Sequence, residues 1–310
     1  MAINLGEALR DKGHDVTLWC PYPLPKQTRW WQSFQVMRLK LDDFLDTQKP
    51  FDIIDIPASF ITKKVNQSAP KVVARSVQPD ILCILHSLNE HFKRDLKGII
   101  LIPFSYLYSF FQIFLVLQGW KRANYIFCLG SLEFLWMKKW FPWWRNKLSF
   151  YVNALCTSEQ MALTQVKLQR QQPSEEKIRF LWIGRWVSLK GTDILLNFIT
   201  KWLSLRPQDS FTIAGCHTKT PKQISSALFQ SGQLRILPSF TRKELYDLLA
   251  NHDVGLFTSK VEGWGLVLNE MLESGTPVFA TPVGGVPDLQ PFANNLLYSF
   301  PPTLELVPKI

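Results

Sequence analysis

Apolar and polar positions follow two rhythms along this chain. From Ile178 onward, short β-branched or apolar runs alternate with stretches of helical spacing. The runs Ile178 to Ile183, Phe211 to Ala214, Leu234 to Leu237, Val254 to Phe257 and Pro277 to Ala280 read as strands. Apolar strands separated by amphipathic helices are the pattern of βα units on a parallel sheet. The helices carry start and stop signals: Thr192 and Asp193 suit one start, Pro207 follows its end, and Thr241 with Glu244 forms a capping box. A doubly wound α/β domain is expected here.

The first half repeats the theme less cleanly. A helix from about Ile3 to Lys12 stops at Gly13, and Val16 to Cys20, Phe51 to Ile56, Lys71 to Ala74 and Tyr125 to Cys128 read as strands. Between the halves, Thr157 to Lys177 is polar and rich in Gln, Ser and Glu, with Pro173 near its end, which predicts a hinge. The expected organisation is a first domain over 1–156, a linker over 157–177 and a second domain over 178–310, with no internal repeat.

The stretch Ile99 to Gln118 holds no charged residue and is long enough to span a bilayer as a helix. Against spanning stand Pro103, Ser105, Ser109, Gln112 and Gln118, and Tyr106 and Tyr108 fall mid-stretch rather than in an interfacial belt. Burial or contact with a membrane surface is the expectation. Downstream, Trp136, Lys138, Lys139, Trp140, Trp143, Trp144, Arg145 and Lys147 combine basic and aromatic character. That mixture suits an anionic headgroup region, and equally a core helix with a solvated basic face.

At 310 residues the chain is long for one core and comfortable for two. Its 46% hydrophobic content is enough to fold. Five scattered cysteines, never in Cys-x-x-Cys spacing, point to neither a disulfide framework nor a zinc site. The N-terminus shows no secretory pattern, so the expected location is cytoplasmic, with association to the cytoplasmic face of a membrane left open. A formal charge of +10 suits polyanions, acidic lipids or phosphorylated substrates. No nucleic-acid partner is expected, because no helix-turn-helix, RNA-recognition or zinc-finger pattern accompanies the charge.

The segment Val261-Glu262-Gly263-Trp264-Gly265-Leu266-Val267-Leu268-Asn269-Glu270 carries the candidate chemistry, with Gly275-Thr276-Pro277-Val278 and Val283-Gly284-Gly285-Val286-Pro287-Asp288 behind it. A helix starting near Gly265 offers free N–H groups and a positive dipole end to an anion. Upstream, Gly184-Arg185 and Lys190-Gly191 fall in a loop at the C-terminal end of a strand, the rim where open α/β sheets bind ligands.

These motifs resemble the donor site of family 4 glycosyltransferases of GT-B fold, over roughly Ile178 to Phe300. The resemblance implies two Rossmann-like doubly wound domains facing one cleft, and retaining transfer of a hexosyl group from a nucleotide-diphosphate sugar to a glycan or lipid-linked acceptor. By the family pattern, Arg185 and Lys190 neutralise the diphosphate, Glu262 binds the sugar hydroxyls, and Glu270 accepts from the ribose. Gly263 and Gly265 let the backbone approach the ligand without a Cβ in the way, Gly184 belongs with Arg185 to the family's phosphate-binding loop, and Trp264, Leu266 and Val267 line the pocket. His86, read as lying at a strand end, resembles the family histidine near the donor sugar, against a purely structural role. Neither metal nor cofactor is implied, and no Asp-x-Asp motif is present. The chain begins at the helix that should follow the family's first strand and glycine loop, and stops short of its last helices, as a fragment or a degraded relative would. A catalytically silent nucleotide-sugar-binding or scaffold subunit is therefore the alternative expectation.

Overall fold

The computed structural model describes residues 2–25, 32–92, 102–170, 176–217 and 232–304. The chain divides into two compact units, Met1–Leu129 with Glu133–Asn153, and Gly130–Leu132 with Ala154–Ile310.

In the first unit, α1 (Ala2–Asp11) ends at Gly13, whose φ of 86° is the left-handed conformation that favours glycine. Val16 to Cys20, expected as a strand, has no regular secondary structure and pairs with no strand among the described residues. A strand persists through a ladder to a neighbour, whereas here the Val16 carbonyl accepts from Arg10 Nη2 at 2.7 Å. After α2 (Ser33–Thr47) come β1 (Ile53–Ile56), α3 (Lys63–Ser68), β2 (Lys71–Arg75), α4 (Asp80–Phe92), α5 (Ile102–Arg122), β3 (Tyr125–Leu129), α6 (Ser131–Trp140), a 3-10 turn (Pro142–Lys147) and β4 (Leu148–Tyr151). The four strands are parallel in the order β1-β2-β3-β4.

Val72 and Ala74 of β2 and Ile126 and Cys128 of β3 form one sheet face, and one core joins them to Leu41, Val65, Val116, Trp120 and Met137. Helices α2, α3, α5 and α6 thus share a layer, as right-handed crossovers between successive neighbouring strands require. Residues 99–101 of the uncharged stretch lie outside the described residues; the rest forms most of α5. No helix among the described residues is long and apolar enough to cross a membrane.

In the second unit, the expected hinge begins instead as α7 (Thr157–Gln169), with Leu163 and Val166 buried. Only those two side chains turn inward, while Met161, Leu168 and most of the polar residues stay exposed, so a stretch of linker-like composition is a packed helix. Residues 171–175 lie outside the described ones. Then follow β5 (Arg179–Ile183), α8 (Thr192–Leu205), β6 (Ser210–Ala214), β7 (Leu234–Leu237), α9 (Arg242–Ala250), β8 (Val254–Phe257), α10 (Leu266–Glu273), β9 (Val278–Ala280), α11 (Val286–Leu289) and β10 (Leu297–Ser299). The sheet is parallel throughout, in the order β10-β9-β8-β5-β6-β7. Successive side chains of β5 point to opposite faces: Phe180 and Trp182 enter a core with α8, and Leu181 enters one with α7, α9 and α10. Both faces are covered, which explains the continuous apolar strands.

One close approach positions α5. A Cβ on Gly119 would stand 1.8 Å from the Ala58 carbonyl oxygen. Gly119→Ala is expected to destabilise the protein by about 1–3 kcal/mol, the usual cost of overpacking, measured as a lowered urea midpoint at unchanged slope.

Candidate functional site

The second sheet grows in both directions from β5, with β6 and β7 on one side and β8 to β10 on the other. The point of reversal lies between β5 and β8, where the carboxyl ends of open α/β sheets leave a crevice for ligands. Phe180, Leu181 and Trp182 of β5 pair with Val254, Gly255 and Leu256 of β8, so the two following loops leave from adjacent strand ends.

Those loops are tied together. Gly191 closes the first with φ 64°, and a Cβ there would stand 1.9 Å from the Thr258 carbonyl oxygen. Thr258 Oγ1 donates to the Lys190 carbonyl at 2.9 Å and accepts from Trp182 Nε1 at 3.0 Å. The Lys260 amide donates to the Leu189 carbonyl at 2.8 Å. At this junction Lys190 Nζ ion-pairs with Glu262, whose Oε2 also accepts from Ser259 Oγ at 3.1 Å. Arg185 is exposed on the same loop; its carbonyl accepts from the Val187 amide at 2.9 Å, and its side chain makes no hydrogen bond or ion pair among the described residues. Gly184 donates its amide to the Ala214 carbonyl at 2.9 Å.

Gly265, with φ 87°, starts α10, and a Cβ on it would meet the Phe257 ring at 2.7 Å. Leu266 is exposed and Val267 half-buried. Trp264 departs from the expectation that it lines a pocket: it is buried, its Nε1 donates to Asn269 Oδ1 at 2.6 Å, and a Cβ on Gly285 would meet its ring at 2.7 Å. An indole sandwiched in this way anchors the loop. Glu270 is buried one turn into α10, and its carboxylate is held by Arg242, which also donates to Glu159 Oε1 at 2.7 Å.

Burial pushes the Glu270 carboxyl above its ordinary range, and Arg242 pulls it back down. Arg242 opens α9 directly after the Thr241–Glu244 capping box, and Glu159 lies in the stretch that reads as a hinge. No sequence motif links them to Glu270; only the folded chain does.

His86 lies within α4 of the first unit, half-buried, rather than at a strand end. The carboxyl edge of the first sheet holds groups that its sequence does not advertise. Ser76 Oγ donates to Glu133 Oε1 at 2.7 Å, the Leu129 amide donates to Glu133 Oε2 at 2.6 Å, and Tyr151 donates to the Ser76 carbonyl at 2.5 Å. Burial pushes the Glu133 carboxyl up to about 7 and that of Asp80 up to about 6. Carboxyls displaced toward neutrality suit proton transfer.

Residues 165–293 match the sequence model of a family described as glycosyl transferases group 1. The GPI3 subunit of phosphatidylinositol N-acetylglucosaminyltransferase from Saccharomyces cerevisiae is 30% identical over 125 residues, covering 39% of this chain and 27% of that protein. D-inositol 3-phosphate glycosyltransferase from Thermobifida fusca is 31% identical over 131 residues, covering 39% of this chain and 30% of that protein. The matched stretch is thus under a third of either relative. The crystal structure of WaaG, a glycosyltransferase involved in lipopolysaccharide biosynthesis, superposes with TM-score 0.61 at 15% identity, covering 99% of this chain and 84% of that one. At that identity the likeness shows the fold, which is GT-B.

Replacing Arg242 by Met would leave burial unopposed at Glu270 and raise its folded-state pKa further. A carboxyl that binds its proton more tightly when folded loses stability as pH rises from the unfolded value through the folded one. The melting temperature of Arg242→Met is expected to match the parent most nearly at acid pH and to fall progressively below it as pH rises, measured by thermal unfolding across buffers.

Proposed function

We propose, from the match of residues 165–293 to the glycosyl transferases group 1 family, that the second unit binds a nucleotide-diphosphate sugar where β5 and β8 diverge. The reaction we assign is retaining transfer of its hexosyl group to a glycan or lipid-linked acceptor. The observation that carries the reading is the Lys190–Glu262 pair, cation and carboxylate joined where two strand-end loops meet beside the start of α10. In this proposal an arriving diphosphate draws Lys190 from Glu262, freeing the carboxylate to accept from sugar hydroxyls. Arg185 and the first amides of α10 supply further positive potential. Glu270 has acceptor capacity beyond its Arg242 contact, since an ionised carboxylate offers about four lone-pair sites, and is assigned to the ribose. Gly184, Leu266 and Val267 border the same space.

As the glycosidic bond breaks, negative charge grows on the departing diphosphate while the sugar takes oxocarbenium character. Fixed cations stabilise that charge without reorganising, and removing one such contact typically costs about 10²–10³ in rate. No metal or organic cofactor enters the scheme. His86 is retained as the first unit's candidate by resemblance alone. Names of the curated relatives point to inositol-containing acceptors, and on that basis a phosphoinositide or inositol phosphate is the first acceptor class to offer. We place the protein in the cytoplasm, working at the cytoplasmic face of a membrane when the acceptor is a lipid.

A donor at about 100 times its dissociation constant adds about 2.7 kcal/mol of stability, which a thermal-shift screen of nucleotide sugars detects. Arg185→Ala removes an exposed side chain with no partner among the described residues, so it should melt like the parent without donor and lack the donor shift. An unchanged shift overturns the assigned pocket. With labelled donor, transfer or hydrolysis supports the enzyme; binding without either supports the silent subunit.

A further inference from the structure

We infer that the outer face of the first unit's helical layer is a docking surface for an anionic lipid bilayer, with α5 lying in the interfacial plane. This inference stands on different residues from the donor site and does not depend on it.

On α5 the outward residues Leu107, Phe110, Phe111 and Phe114 recur at helical spacing and are 44–70% exposed, while Leu115, Val116 and Trp120 on the opposite side are buried in the core. A helix apolar on both sides is one whose second side meets something other than water. Its stripe continues to Lys121, which is exposed.

Helix α6 and the turn Pro142–Lys147 extend this face. They pack on the same side of the sheet as α5, and Lys147 Nζ donates to the Ala123 carbonyl at 2.9 Å, fastening the turn to the end of α5. Trp136 and Trp144 are spent on packing against Phe141, at 5.6 Å and 5.4 Å between ring centres. Trp143 meets the edge of Phe141 at 5.7 Å between ring centres, yet it and Trp140 are left 68% and 57% exposed. Beside them stand Lys138, 5.0 Å from the Phe134 ring centre, Lys139, 5.7 Å from that of Trp140, and exposed Arg145.

Charge chooses the occupant. Between Ile102 and Tyr151 the chain carries six Lys and Arg and one acidic residue, Glu133, which is buried. A two-fold contact with a second copy would set these cations against their own images. Anionic headgroups would neutralise them while Trp and Phe side chains enter the acyl boundary, the arrangement of interfacial helices.

The test is co-sedimentation with phosphatidylcholine vesicles with and without phosphatidylglycerol, in the absence of nucleotide sugar. The parent should pellet with the anionic vesicles, and less so as salt rises. Phe110→Ser/Phe114→Ser alters exposed side chains only, so it should keep the parent's circular dichroism and melting temperature while binding at least tenfold more weakly. Lys138→Ala/Lys139→Ala should lose about fivefold per charge. The proposal is overturned if the Phe variant binds like the parent or if the parent stays in the supernatant with both vesicles. A parent dimer that the Phe variant dissolves, without vesicle binding, overturns it in favour of self-association.

Discussion

The second unit's chemistry depends on how closely the loops after β5 and β8 approach each other. Gly191 sets that distance. With φ 64° and the Thr258 carbonyl oxygen where a Cβ would be, it is the one residue type that satisfies both conformation and space. Remove that approach and the hydrogen bond from Thr258 to Lys190 lengthens, Lys190 leaves Glu262, and a cation and a carboxylate become two unrelated surface charges. Gly265 imposes the same discipline on the other loop, pressed against the Phe257 ring so that α10 can begin directly after Trp264. The site is a product of backbone crowding before it is a product of side chains.

Such crowding needs a rigid sheet behind it, and the opposite strand edge supplies one. Where β5 begins, Asp253 accepts from the Arg179 amide at 2.7 Å and from its guanidinium at 2.7 and 3.0 Å. Asp209 accepts from the Ile178 amide, Trp202 Nε1 and Arg206 Nε at 2.8–2.9 Å. Arg170 of the segment after α7 reaches the His252 carbonyl and Thr276 Oγ1 at 3.0 and 2.7 Å. A buried carboxylate is tolerated when its lone pairs are filled, and each of these is. Polar groups at the amino edge are saturated internally, whereas at the carboxyl edge Arg185 is left facing solvent. That asymmetry separates scaffold from site.

What could be read from the chain follows from how local each signal is. Strands β5 to β9 were legible because both faces of the sheet are covered and most of their positions are apolar, and the α9 start because Thr241 and Glu244 lie within one turn of each other. Strands β4 and β10 were missed: Ser149 breaks the first and only Leu297 and Tyr298 precede Ser299 in the second, so neither writes a continuous apolar run. The joining of Lys190 to Glu262 was anticipated only as convergence on a ligand, and Arg242 with Glu159 not at all, since 28 and 83 residues separate them from the groups they meet. Trp264 was misassigned because a Gly-aromatic-Gly step looks open, whereas the crowded Gly284-Gly285 turn that buries the indole is some twenty residues on.

Helix α5 shows the same limit from the other side. Its uncharged composition satisfies the length rule for a bilayer span, yet composition cannot tell an all-round apolar helix from one that divides its apolar residues between two neighbours. Gly119 presses one side onto the Ala58 backbone, and Trp120 and Val116 enter the core. A helix so held cannot also be surrounded by lipid. Ser109 is buried on that inner side, and Gln112 and Gln118 are half-buried, which costs little within a protein and much within hydrocarbon. Only the outer stripe is left, and a stripe one helix-face wide can be wetted by a bilayer surface without its backbone ever leaving the fold.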